Sequence, residues 1–362
     1  VPQFASTSLS RTINLGKILA VCALIFAAPL RAQDPQPSPN VPNIAPARLM
    51  VDETGRTVRV PIAVDRIVSL APSITETLYA LGLQGHLVGD TDFCNYPEDA
   101  RNKPRVGGAI DPNLERIASL RPDLVLLTRS LNRLETVRAL ELLNIPSYTL
   151  AEPQTVEDIA ASIRKLADVL GAPKAASSVT EDMQQHLAAL QTRLKPVTPT
   201  RALFVVWSDP LISIGKDTFI ADALRRGGAI SVVDSSQNWP QTDLEEIVRL
   251  QPEAVIYANN DAAAATREFD ALAVRPGWRL LDAVQKHRLI VLSDAINRPA
   301  PGIVSVIEQL ARELHPDVFA APADKNEPVA PAAQPATPPD SKPNRSAMQN
   351  SNPCEVQSAC AR

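Results

Sequence analysis

The sequence predicts an α/β protein of two similar lobes with parallel sheets, joined by a single long helix. The first observation behind this is an internal repeat. The stretch NLERIASLRPDLVLL, residues 113–127, returns as DLEEIVRLQPEAVIY, residues 243–257, with Leu114, Glu115, Ile117, Leu120, Pro122 and Val125 recurring as Leu244, Glu245, Ile247, Leu250, Pro252 and Val255. In each copy a capping residue, Asn113 or Asp243, precedes apolar positions three and four apart, and a proline then closes the helix. The apolar run that follows reads as a buried parallel strand. The second observation is that each copy sits in an alternation of short apolar runs and amphipathic segments, the pattern of parallel strands with helical crossovers. The third is the stretch 173–194, which carries Val179, Met183, Leu187, Leu190 and Leu194 along one helical face. At 1.5 Å per residue it is about 33 Å long, enough to reach from one lobe to the other. Such a helical link is stiff and predicts small lobe movements.

At the N-terminus, Arg11 and Lys17 precede the apolar run 18–30 and Leu30-Arg31-Ala32, which fits a secretory signal over 1–32 cleaved after Ala32. The run is about 13 residues, short of the roughly 20 that span a membrane. Val21 ahead of Cys22 departs from the small residue expected before a lipidated cysteine, so lipid anchoring is not expected. Residues 33–48 form a Pro-, Gln- and Asn-rich tether without periodicity.

The first lobe is expected over 49–152. It opens with a hairpin in MVDETGRTVRVP, followed by the strand RIVSL, a turn at Ala71-Pro72-Ser73 and a helix over 74–81 ended by Gly82. Val88-Gly89 leads into the loop DTDFCNYP, and Gly107-Gly108 into the first repeat copy. A helix over 134–143 and a strand over 147–150 complete the lobe. Linking helices are expected over 153–198, the first capped by Thr155 and Asp158. The second lobe, 199–319, runs through a strand at 202–207, a turn and helix within 208–228, the Trp239 loop and the second repeat copy. It closes with a helix at 280–284, a strand at 289–292 and a helix at 302–314. Residues 320–362 read as a disordered Pro/Ala-rich tail in which Cys354 and Cys360 are spaced for a small disulfide loop. Cys94 is then alone, and reads as a small buried side chain rather than a metal ligand.

Composition narrows the function. The chain has 362 residues, 45% hydrophobic and 21% charged, with a net charge of -4, so no basic surface argues for nucleic acid. Ile214-Gly215-Lys216-Asp217 lacks the upstream glycine and the hydroxyl residue of a phosphate-binding loop, and no GxGxxG or GxSxG occurs. His86, His186, His287 and His315 are scattered without ligand spacing. Together these argue against an enzyme.

Loops at the carboxyl ends of strands are where open α/β sheets bind ligands. The first lobe offers Ser73, Thr75, Phe93, Tyr96, Ala109, Thr128 and Arg129 there, and the second Trp207, Lys216, Trp239, Asp294 and Arg298. Aromatics are only 4% of the chain, so those in loops are informative. Aromatic rings with a few polar groups suit a flat organic ligand, although Trp207 also reads as a core residue ending its strand and Tyr96 as a turn residue before Pro97. Glu115 and Glu245 lie in the first turns of their helices, where the helix dipole alone stabilises a carboxylate by roughly 0.3–1 kcal/mol. Their recurrence also suits two acids on one rim, docking onto paired arginines.

The segments RIVSLAPSITETLYALG, DFCNYPEDARNKPRVGG, NLERIASLRPDLVLL, DPLISIGKDTFI and NWPQTDLEEI together resemble one family, over residues 52–316. It is the periplasmic substrate-binding proteins of ABC importers for cobalamin, ferric siderophores and haem, nearest the cobalamin branch. The resemblance implies the class III form, two Rossmann-like lobes joined by one long helix, with the ligand between them and no catalysis or resident cofactor. It implies that Glu115 and Glu245 dock onto arginines of the inner-membrane permease. It also implies that Phe93, Trp239, Asp294 and Arg298 face a corrinoid, whereas Ala109 and Thr128 stand where the best-known cobalamin binder has tryptophans. The expectation is therefore a monomeric periplasmic receptor for cobalamin. The alternatives are a ferric siderophore or haem receptor of the same family, or an extracytoplasmic enzyme or metal chaperone using Cys94.

Overall fold

Each lobe is a four-stranded parallel sheet, and the two sheets are wound in the same order. The computed structural model describes residues 46–320. The expected signal, most of the tether, and the tail with Cys354 and Cys360 lie outside the described residues. The hairpin β1 (Ala47–Val51) and β2 (Thr57–Pro61) opens the fold, so it begins inside the stretch read as tether. Asp52 closes its turn by accepting from the Thr54 and Arg56 backbone N–H groups, each at 3.0 Å.

The first lobe then runs β3 (Ile67–Ser69), α1 (Pro72–Ala80), β4 (Leu87–Asp90), α2 (Leu114–Ser119), β5 (Leu124–Thr128), α3 (Leu134–Leu142) and β6 (Ser147–Leu150). Its sheet order is β4-β3-β5-β6, all parallel. The linking helices are α4 (Val156–Leu170) and α5 (Pro173–Leu194). In the second lobe, β7 (Thr200–Val205) leads to a small antiparallel pair, β8 (Trp207–Ser208) and β9 (Leu211–Ile212). Next come α6 (Phe219–Arg226), β10 (Ala229–Ser231), α7 (Leu244–Leu250), β11 (Ala254–Ala258), α8 (Ala262–Ala273), α9 (Asp282–Gln285), β12 (Leu289–Leu292) and α10 (Ile303–Leu314). The second sheet has the order β10-β7-β11-β12, again all parallel. In both lobes the first strand lies beside the second on one side and the third on the other.

The repeat copies are α2–β5 and α7–β11. Asn113 Oδ1 accepts from the Arg116 N–H at 2.9 Å, and Asp243 Oδ1 from the Glu245 N–H at 2.9 Å, so both predicted caps form. Each copy leaves its helix through a non-glycine residue in the left-handed region, Arg121 and Gln251, both at φ 45, just before its proline. Every residue of β5 is buried, as expected of a parallel strand covered on both faces. Ile74 and Leu78 of α1 pack on one face of the first sheet with Leu166 and Val169 of α4, while Ile117, Val137 and Leu140 cover the other. Each such side chain, fully buried, contributes about 1.5–3 kcal/mol relative to exposure.

The long helix α5 does not join the lobes alone. Met183, Leu187, Leu190 and Leu194 of α5 enter the second lobe's core, and Ile159, Ile163 and Ala167 of α4 enter the same core. Because Leu166 and Val169 of α4 pack in the first lobe, α4 is shared by both. Its start is fixed by the predicted capping box of Thr155 and Asp158, and its end by Gly171 at φ 72. The amino end is also pinned to the second lobe, since the Val156 N–H donates to Asp222 Oδ2 on α6 at 3.0 Å.

Candidate functional site

The shared strand order places a switch point between β3 and β5 in the first lobe and between β7 and β11 in the second. Crossovers leave these strand pairs in opposite directions, which opens a crevice at their carboxyl ends. Ser73 follows β3, and Thr128 and Arg129 end β5; Trp207 follows β7, and Asn259 and Asn260 follow β11.

In the first lobe these loops are held by half-buried polar side chains. Asn132 accepts from the Thr128 N–H at 2.7 Å and donates to the carbonyls of Leu70 at 3.1 Å and Ala109 at 2.7 Å, tying three loops together. Ala109 and Thr128 are themselves buried, and Thr128 Oγ1 has no hydrogen-bond partner among the described residues. The loop bearing Phe93 and Tyr96 is anchored by Arg105, which donates to Asp90 Oδ1 at 2.7 Å, the Thr91 carbonyl at 2.6 Å and the Cys94 carbonyl at 3.0 Å. Burial pushes the Asp90 carboxyl up to about 7, with Arg105 opposing. Thr75, offered by the sequence as a loop residue, is turned inward on α1, donating to Ser69 Oγ at 2.9 Å and standing 3.2 Å from Cys94 Sγ. Cys94 is wholly buried, and burial pushes its thiol up, with the nearby Asp90 carboxylate adding to the shift. Phe93 is half-buried and lies against Gly108, where an added Cβ would come within 3.8 Å of the ring. Tyr96 is 53% exposed.

In the second lobe the two tryptophan loops are joined through β9. Trp207 pairs with Ile212 across β8 and β9, and Ile212 bridges Gln241 in the loop that carries Trp239. Trp207 is 38% exposed and donates its indole N–H to the Asp209 carbonyl at 2.7 Å. Trp239 is half-buried against the lobe's core. Lys216 is paired with Asp234 at 2.7 Å.

Two groups of candidates come together across the lobes. Arg298 pairs with Asp294 at 3.0 Å in its own lobe and with Glu76 of α1 at 3.2 Å, and its guanidinium stands 5.8 Å from the centre of the Tyr96 ring. Ser73 and Thr128 line a cavity of about 30 Å³ that Pro299 of the second lobe also lines. A larger cavity of about 340 Å³ lies away from these loops, between the carboxyl ends of α5 and α6. Glu76, Asn132 and Asn260 are absent from the sequence-based candidates. Asn260 Oδ1 accepts from the Asp294 N–H at 3.0 Å and so holds the rim that Arg298 occupies. Burial pushes the Glu76 carboxyl above its usual range, opposed by Arg298 and the Gly302 N–H.

Glu115 and Glu245 are both exposed in the first turns of α2 and α7, and neither pairs with a basic side chain among the described residues. His86, His287 and His315 are spread over other ends of the lobes, before β4, before β12 and after α10, and His186 lies on α5. Among the described residues no three His, Cys, Asp or Glu side chains group to hold a metal ion.

The family model described as periplasmic binding protein matches residues 67–295, which is most of both lobes. An uncharacterized ABC transporter substrate-binding lipoprotein of Bacillus subtilis, YvrC, is 30% identical over 275 residues, covering 74% of this chain and 85% of its own. The crystal structure of the periplasmic vitamin B12 binding protein BtuF of Vibrio cholerae superposes with a TM-score of 0.59 at 27% identity, covering 69% of this chain and 96% of that one. A periplasmic heme binding protein from Pseudomonas aeruginosa gives 0.63 at 25% identity, covering 70% and 94%. The B. subtilis relative is a lipoprotein, and this overturns the expectation drawn from Val21 and Cys22 that an anchor is absent; the periplasmic location stands. Two parallel-sheet lobes of one strand order, helices shared between them and loops gathered at the sheets' carboxyl ends are thus the frame of a non-catalytic carrier, and this chain belongs to the periplasmic binding proteins, the class III type that delivers a small ligand to an ABC importer.

Proposed function

We propose that the protein captures a corrinoid between its lobes and delivers it to an importer through Glu115 and Glu245. The observation that carries the ligand class is the pairing of aromatic surface with the lack, among the described residues, of a histidine in the loops at the carboxyl ends of the strands. Phe93 and Tyr96 come from the first lobe, Trp207 and Trp239 from the second, and all four are at least partly exposed. Haem iron is held by a protein side chain, most often His, Met, Cys or Tyr. Of these the loops offer Tyr96, whose ring already faces Arg298, and Cys94, which is buried. A corrinoid, whose cobalt is already chelated, asks of the protein only apolar burial, stacking and hydrogen bonds to its amide side chains. Ser73, Arg129, Asp294 and Arg298 supply the polar groups. The similarity to vitamin B12 binding proteins of Vibrio cholerae supports this reading.

Equilibrium dialysis of Trp239→Ala against cyanocobalamin tests it. Truncating a central tryptophan costs about 2 kcal/mol, roughly a thirtyfold loss of affinity. An unchanged affinity removes the Trp239 loop from the site.

A further inference from the structure

Glu76 is a first-lobe residue whose carboxylate is spent entirely on the second lobe. It lies on α1 and is 4% exposed. Its Oε1 accepts from the Gly302 N–H at 2.9 Å and its Oε2 from Arg298 Nε at 3.2 Å, residues 226 and 222 positions away in the chain. Gly302 caps the amino end of the twelve-residue helix α10, where a negative charge is favoured by the helix dipole. A Cβ at position 302 would fall 2.5 Å from Glu76 Oε1, so a side chain there would push the carboxylate aside. Arg298 is further fixed by Asp294 and faces Tyr96, so one second-lobe arginine is gripped by two first-lobe residues. A buried charge of this kind is retained only where its partners stay in place, since loss of one leaves the other uncompensated.

We propose that Glu76 is an interlobe positioning residue, clamping α1 to Arg298 and Gly302 so that it sets both the gap between the lobes and the direction of Arg298 on the cleft rim. The clamp itself needs no ligand, while its effect on affinity rests on the proposed corrinoid site. It also explains how a carrier with helical links keeps a defined cleft: α4 packs into the cores of both lobes, and Glu76 adds a further connection.

Hydrogen exchange of the full chain, ligand-free, tests the clamp through Glu76→Gln. Exchange in segment 300–306 of the second lobe is expected to rise at least tenfold, with β5 unchanged. A residue that merely supports its own lobe would loosen α1 and β3 and leave 300–306 protected, and that result overturns the proposal. If Glu76→Gln does not fold, Arg298→Gln removes the other half of the contact and is expected to loosen 300–306 in the same way. In parallel, affinity for cyanocobalamin is expected to fall about tenfold in Glu76→Gln and no further in the Glu76→Gln, Arg298→Gln double variant. Additive losses would contradict positioning through Arg298. A wild type that ignores cyanocobalamin, with the exchange rise still seen in Glu76→Gln, retains the clamp and rejects the corrinoid.

Discussion

The Glu115→Ala, Glu245→Ala double variant is expected to bind its ligand like the wild type and to lose uptake. The two carboxylates stand at matching places in a repeated unit, each in the first turn of a short helix, each exposed and without an ionic partner among the described residues. A stabilising role within each helix is worth under about 1 kcal/mol, so little stability is at risk. Truncating one side of a desolvated interfacial charge pair costs about 2–5 kcal/mol. Loss of both therefore weakens docking by at least about a thousandfold. Single variants are expected to retain part of the uptake, because the other lobe still engages. Uptake in cells depending on this receptor, set beside affinity of the purified protein, separates the roles. Lost affinity in the purified double variant would place the acids in the cleft instead.

Gly215→Ala is expected to disrupt the Trp239 loop and to cost about 3 kcal/mol of stability, the upper part of the range for overpacking. A Cβ at Gly215 would lie 1.8 Å from the Gln237 carbonyl oxygen, a backbone atom that cannot rotate aside. The loop is stitched to this segment by backbone bonds from the Gly215 N–H to Asn238 at 2.9 Å, from Lys216 to Ser235 at 2.8 Å and from Ser213 to Pro240 at 3.1 Å. A methyl group at position 215 therefore displaces the segment that presents Trp239. Gly85→Ala is the control, since nothing lies within 4 Å of its Cβ position. Urea unfolding of both variants checks the contrast, and equal stability would show that the loop gives way at no cost.

The repeated unit is legible in the sequence because everything that forms it is local: a capping side chain, apolar positions one turn apart, a proline and a short apolar strand. The capping box of α4 is legible for the same reason. Helix α8 is not among the predicted elements, since its alanine-rich stretch buries only Ala265, Phe269 and Leu272 and carries a weak stripe. The shared strand order is invisible in the chain, because the neighbours of β3 and β7 are chosen by crossovers rather than by local pattern. Trp239 stands out in sequence through rarity and a Pro-flanked loop. Glu76 does not, because it reads as an ordinary polar position of an amphipathic helix and its partners lie more than 200 residues away. Asn132 is hidden likewise, as its three bonds join backbone groups from separate loops.

Calorimetric titration of the purified protein with cyanocobalamin, with haem and a ferric siderophore run in parallel, decides whether a corrinoid is captured between the lobes. One-to-one saturable binding of cyanocobalamin, with neither iron complex giving a comparable signal, is the predicted result. Saturable binding of haem or the siderophore with no response to cyanocobalamin would contradict it.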